Sequence, residues 1–388
     1  MSISLLAAFA LSSLASVTDA PADGGVTVTA GLGQGVAVKS GDFSVAVRGR
    51  MQLQANAIAP LPGSPVARTN GFLVRRSRIQ IRGTLPYQLD FNIQLAFGTL
   101  DMEPDAPNVL RDAYMQWTRF PSLSLRLGQT KVPFDVQRVV SSSALQFVDR
   151  TLVTGELNLD RDVGLVAYSD DFLGWGNRLR YAIGVFGGDG RNRVGTNNGL
   201  LYSARLRFSP FGKLDDKLEG DPDRDPAFRI AFGAGAAINN LTKRPRSTVG
   251  PPYTASVFTY RHATGDVHVK WAGFSLLTEI YVRDANYDSR QTEVKGGVLT
   301  EFSRSGWGYF AQAGYYVLPW LELGARYGDL RPFADTDPTF TRTREIGGVV
   351  NFMIRRHDLK LQVDYHFLDD GHFDHGRHQV RAQAQLYF

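Results

Sequence analysis

Val380-Arg-Ala-Gln-Ala-Gln-Leu-Tyr-Phe388 is the stretch that decides the fold. Successive side chains of an extended chain point to opposite faces, so Val380, Ala382, Ala384, Leu386 and Phe388 share one side and Arg381, Gln383 and Gln385 the other. A single strand of this kind suits a soluble sandwich equally well; its recurrence is what discriminates. Stretches of about ten residues with the same alternation run along most of the chain, separated in turn by tight turns and long polar loops, which is the pattern of a transmembrane antiparallel β-barrel. The outward residues begin with Phe43, Val45, Val47, Met51 and Leu53, continue through Ile79 and Ile81, then Leu89 to Phe97, and recur until the terminal strand. The reading is an all-β chain of about sixteen strands, the even number such barrels require.

Composition supports this. Of 388 residues 43% are hydrophobic and mean hydropathy is −0.19; beyond the N-terminus no run of eighteen apolar residues occurs, which excludes helical spans. The chain has no Cys, which excludes a disulfide scaffold and thiolate-metal sites and suits passage through an oxidising periplasm. Residues 1–20 carry an apolar core from Ile3 to Val17 followed by small residues and read as a secretory signal peptide, although the usual preceding positive charges are missing. Residues 21–42 read as an N-terminal periplasmic segment, with Gly31-Leu-Gly-Gln-Gly35 as linker, and 43–388 as the barrel. The formal net charge of +5 points towards anionic solutes.

Connection lengths check the topology. With both termini in the periplasm, turns after even strands should be short and those after odd strands long. Short turns fall at Thr84–Gln88, Phe120–Ser122, Ala272–Gly273, Leu318–Trp320 and Arg355–Asp358. One connection breaks the rule: Phe211–Pro226 is long, charged and on the periplasmic side. The connection from Lys131 to Asp160 contains an apolar stretch, Ser141-Ser-Ser-Ala-Leu-Gln-Phe-Val148, which a solvated tip would not carry. It is expected to fold inward and narrow the pore, the alternative being a capping helix outside the lumen.

The same parity aims about fifteen basic residues inward, among them Arg48, Arg50, Arg76, Arg78, Arg82, Arg126, Arg205 and Arg207, against about six acids. A register slip of one residue would turn each of these into lipid at a cost of roughly 2–4 kcal/mol at the midplane. An excess of positive charge in a narrow low-dielectric channel concentrates anions and repels cations, and the planar fork of Arg suits phosphate and carboxylate. About half of these arginines are assigned to pairing with acids and carbonyls that hold the wall rigid.

The stretches Arg75-Arg-Ser-Arg-Ile-Gln-Ile-Arg-Gly83, Asp112-Ala-Tyr-Met-Gln-Trp117, Leu125-Arg-Leu-Gly-Gln-Thr-Lys-Val-Pro-Phe134 and Leu145-Gln-Phe-Val-Asp-Arg150 resemble the phosphate-selective porin O and P family. The terminal strand with its aromatic end also resembles the assembly signal of bacterial outer-membrane proteins. The resemblance implies a homotrimeric sixteen-stranded porin of the bacterial outer membrane, an inward third loop, and a ladder of lumen arginines leading to an anion site. Under it Arg48, Arg50, Arg76, Arg78 and Arg82 look like ladder residues and Lys131, Phe134, Arg138, Asp149 and Arg150 like elements of the constriction loop. The vestibules of the best-known members are Lys-rich and this chain's are not, so anion preference is implied more strongly than selectivity for phosphate. The implied partners are small anions, phosphate or polyphosphate first, and outer-membrane lipid, with no cofactor, no nucleic acid and no catalysis.

Two other readings stay open. The first is a general porin for anionic organic solutes. The second is a hydrolase or adhesin on the same barrel, which an occluded lumen with external Ser or Asp clustered beside His would favour. His372, His375 and His378, spaced by three beside Asp369, Asp370 and Asp374, are a weak metal candidate read mainly as surface decoration.

Overall fold

The computed structural model describes residues 25–388 apart from 63, 65, 104–106, 194, 196–198, 286–288, 295–296 and 335; the proposed signal peptide lies outside the described residues. The chain begins with a hairpin of β1 (Thr27–Gly31) and β2 (Gly35–Ser40) and continues with β3 (Phe43–Pro60), β4 (Thr69–Leu85), β5 (Leu89–Ala96), β6 (Leu110–Phe120) and β7 (Leu123–Lys131). A long loop carrying the short helix α1 (Leu152–Leu157) leads to β8 (Arg161–Ser169), β9 (Leu179–Phe186), β10 (Leu201–Phe208), β11 (Arg229–Thr242), β12 (Phe258–Trp271) and β13 (Phe274–Ala285). An external hairpin, β14 (Ser289–Val294) and β15 (Gly297–Phe302), precedes β16 (Gly306–Leu318), β17 (Leu321–Pro332), β18 (Thr343–His357), β19 (Leu359–Asp369) and β20 (Arg377–Tyr387). Without the two hairpins sixteen strands remain, each antiparallel to the next, and β20 pairs with β3 to close the barrel.

Closure pairs each of the sixteen barrel strands on both sides, which lipid demands because no water is present to satisfy an open edge. At the seam Gly49 N donates to Phe388 O (2.5 Å) and Phe388 N to Gly49 O (2.8 Å). A Cβ on residue 49 would lie 2.5 Å from the Phe388 ring, so only Gly lets the terminal aromatic settle there. The expected parity holds: Leu206 is 52% exposed on the outer face and its neighbour Arg207 4% exposed. Trp271, Trp320, Phe208 and Phe228 stand exposed at the periplasmic ends of their strands, where amphipathic rings favour the membrane boundary.

The reading of Gly31–Gly35 as linker is corrected. These residues turn β1 into β2, with Gly33 at φ +73° and the Asp358 carboxyl occupying the space of the missing side chain. Strand β2 pairs with the lower part of β3 (Val36 with Val47), along the edge that β20 occupies higher up (Leu386 with Met51). The hairpin therefore prolongs the wall beyond the end of β20.

The third loop folds inward, as expected. Phe134, Leu145, Phe147, Val148 and Val153 are essentially fully buried, and the loop backbone is tied to the far wall: Val136 N donates to Glu279 (2.9 Å), Val148 N to Asp364 (3.1 Å), and Lys360 Nζ to Leu145 O (2.9 Å). Buried backbone groups need partners, and inward polar side chains of the barrel provide them.

A second segment enters from the opposite mouth. The long periplasmic connection, residues 209–228, rises into the lumen between β10 and β11. Asp216 pairs with Arg180 (3.1 Å) and Arg207 (2.9 Å), and Lys270 Nζ donates to Asp215 O (2.5 Å) and Leu218 O (2.9 Å). Burial raises the Asp216 carboxyl, but Arg207 and Arg180 outweigh it and hold the group down at about 2. The two inserts cover one side of the interior, so that His268, Glu322, Asn351, Lys360 and Gln362 are dry although they point inward.

Candidate functional site

What remains open is a cavity of about 990 Å³ against β3 to β10, bounded across the lumen by the third loop. Its lining holds fourteen Lys or Arg residues and five Asp. On the external side lies a smaller chamber of about 410 Å³, lined by Arg75, Arg76, Arg138, Arg191 and Arg246 together with Asp101, Glu103 and Asp160. Arg111 and Arg150 line both, which makes them the junction between the chambers.

Two arginines escape the two-residue period. Strand β4 shifts register between the pairs Gln52 with Arg76 and Leu53 with Val74, leaving Arg75 as an extra residue; β6 shifts likewise between Gln94 with Asp112 and Leu95 with Leu110, leaving Arg111. At a β-bulge two residues oppose one, so both members of each pair, Arg75 with Arg76 and Arg111 with Asp112, turn inward. Strict alternation would aim Arg75 outward; instead its guanidinium grips Asp149 of the third loop (2.9 and 3.1 Å). The signal was legible in retrospect: two adjacent charged residues inside a strand cannot alternate, and a bulge is the way to bury both.

The expected site residues fall into two electrostatic groups. In the first, charge is cancelled locally. Arg76 bonds Asp149 and Gln52 (2.8 Å to Gln52 Oε1). Arg78 makes a fork with Asp101 (2.7 and 2.5 Å). Arg138 pairs with Asp160, while Arg205 and Arg207 share Asp266 (2.5 and 2.6 Å). Burial works against the Asp149 carboxyl, but Arg76 and Arg75 hold it well below the usual carboxylate range, and Asp101 is lowered in the same way by Arg78 and Arg111.

In the second group the bonds go to neutral atoms. Arg48 donates to Gln34 O (3.0 Å), Arg50 to Ser141 Oγ (3.3 Å) and Arg82 to Gln80 Oε1 (2.9 Å). Arg126 lies between the rings of Tyr114 and Tyr168, 4.7 and 4.9 Å from their centroids, and donates to Gln116 Oε1 (3.2 and 3.0 Å). Lys131 donates to Val139 O (2.6 Å) and Val140 O (3.2 Å), and Arg150 to Gln137 O (2.9 Å) and Val140 O. Burial, then the charges of Arg138 and Arg76, push the Arg150 guanidinium down to about 9 against the opposing pull of Glu219.

Several expectations change in role. Phe134 does not face the passage; it is buried against Tyr281 and His262 and anchors the loop, while its carbonyl accepts from Arg205 (2.8 Å). Asp149 likewise serves as counter-ion. The inward bases of the far wall, Lys270, Arg326 and Lys360, are sealed beneath the inserts. The three histidines are not one cluster: His372 and His375 stay on the last external loop, whereas His378 sits on β20 bonded to Tyr365 (2.7 Å). Among the described residues no three His, Cys, Asp or Glu side chains gather as a metal site.

A closed sixteen-stranded barrel, lipid-facing outside and charged within, with a loop folded across its interior, defines an outer-membrane porin. The chain belongs to the phosphate-selective porin O and P family, whose family model matches residues 45–365. Among solved structures it is similar to an anion-selective porin from Comamonas acidovorans (14% identity, TM-score 0.58, covering 89% of this chain and all of that one). It is also similar to the outer-membrane channel DcaP of Acinetobacter baumannii (13% identity, TM-score 0.59, 89% and 97% covered). An uncharacterized protein of Aquifex aeolicus (strain VF5) is 24% identical over 302 residues, 71% of this chain and 67% of that protein.

Proposed function

We propose that this porin passes small anions by passive diffusion, phosphate or similar oxyanions first, through an arginine-lined lumen. The observation that carries the reading is the second group above: Arg48, Arg50, Arg82, Arg126, Lys131 and Arg150 all border the cavity and, among the described residues, none has a carboxylate within ion-pair distance. The anion selectivity printed for the Comamonas porin is consistent with this. A second reading, a general porin for anionic organic solutes, is favoured by the Tyr114–Arg126–Tyr168 stack, which offers ring faces beside the charge. The hydrolase or adhesin alternative called for an occluded lumen, and the cavity speaks for a channel. The proposal includes export by residues 1–20 and assembly as a homotrimer.

The test is zero-current potential in planar bilayers under gradients of potassium chloride and potassium phosphate. The unmodified chain is expected to prefer anions, and Arg82→Glu with Arg126→Glu to lower that preference roughly tenfold, since two unpaired charges reverse sign in a focused field. Equal passage of potassium and chloride by the unmodified chain, or an unchanged preference in the double variant, would refute it.

A further inference from the structure

We infer that residues 209–228 are a second constriction element, entering from the periplasmic mouth, and that Glu219 is the positioning residue through which this segment holds the third loop in place. The inference rests on the reading of the cavity as the anion passage and adds the element that sets its bore.

A periplasmic turn of a porin needs only a few residues. This one spends twenty and places a carboxylate at its deepest point. Glu219 is 1% exposed and accepts three hydrogen bonds: Gln137 Nε2 (3.1 Å) and Gln146 N (2.7 Å) come from the third loop, and Gln312 Nε2 (3.0 Å) from β16. All three donors are neutral. A buried carboxylate whose direct partners are all neutral is costly unless every donor is in place, so it specifies one arrangement of the two inserts rather than many. The backbone reinforces the junction, because Glu219 N donates to Ala144 O (3.4 Å), and the preceding Leu218 packs against Val140, Ala144 and Leu145. The third loop is thus gripped from below as well as from the wall. On the other flank Asp216 borders the open cavity and cancels Arg180 and Arg207 there, so the segment fixes the passage wall as well as its width.

The experiment uses the full chain in planar bilayers, with residues 211–226 replaced by a two-residue Asn-Gly turn in one variant and Glu219→Ala in another. Removing the segment uncovers the part of the lumen over His268 and Lys270, and single-channel conductance is expected to rise roughly twofold, as the open cross-section widens. Glu219→Ala, which leaves the barrel wall untouched, is expected to give flickering excursions to that larger level, and Glu219→Gln to restore most of the steady current because its amide oxygen still accepts. Unchanged conductance in the shortened chain, or a steady wild-type current in Glu219→Ala, would overturn the inference while leaving the anion preference standing. Loss of anion preference in the unmodified chain would instead sink the reading beneath it.

Discussion

Asp149 shows how much of this interior depends on single carboxylates. It binds Arg75 and Arg76 together, one of them the extra residue of a bulge. Removing one partner of a buried pair costs about 3–5 kcal/mol, because the other charge is stranded in a low-dielectric interior. Asp149→Ala should therefore lower thermal stability and loosen the third loop, seen as a lower melting midpoint and a noisier current. The pH dependence follows from sign. A carboxyl whose folded value lies below its unfolded value stabilises fully above the unfolded value, near pH 4, and loses that contribution only as pH falls further. Current through the wild type should thus be steady from neutral pH down to about 4 and become noisy below it, while Asp149→Asn should be noisy throughout.

The elements differ in how plainly the sequence announced them. Strands are legible because a lipid-facing side chain and a water-facing one must alternate; the expected count of about sixteen from Phe43 onward matches the barrel, and Lys131–Asp160 betrays its inward course by its apolar content. The two bulges were not legible to a strict period of two, and they move Arg75 and Arg111 from one face to the other. The entry of residues 209–228 into the lumen was also missed, since charge and length there looked like an exposed loop. What distinguishes it is tertiary: Asp216 pairs with Arg180 and Arg207 of the barrel wall, and Lys270 on β12 donates to the segment's carbonyls at Asp215 and Leu218. At this scale Phe134→Ala should detach the loop from its apolar anchor at about 3–5 kcal/mol, the usual cost of emptying an aromatic site. It is expected to show as a lower denaturation midpoint with anion preference retained, because Phe134 holds the loop without facing the solute.

For the whole molecule the decisive asymmetry is a wet wall and a dry one. Both point inward by parity, so sequence reasoning counted their charges together, yet Lys360 is fully buried whereas Arg82 is exposed. The absence of native Cys gives a clean background for testing this. A membrane-impermeant maleimide should label Arg82→Cys rapidly in intact outer membranes or proteoliposomes, leave Gln362→Cys unlabelled, and leave Leu206→Cys unreactive because it meets acyl chains. Rapid labelling of Gln362→Cys would show that the covered side is open.

The seam between β3 and β20 carries a temporal implication. Its two strands lie at opposite ends of the barrel sequence, joined at pairs such as Pro60 with Arg377. No ribosome-bound or half-translocated chain can make that pairing, and until it forms both margins expose unsatisfied amides. Closure of the cylinder must therefore wait until β3 and β20 are both available, and Gly49 beneath the Phe388 ring is the point at which the two margins lock.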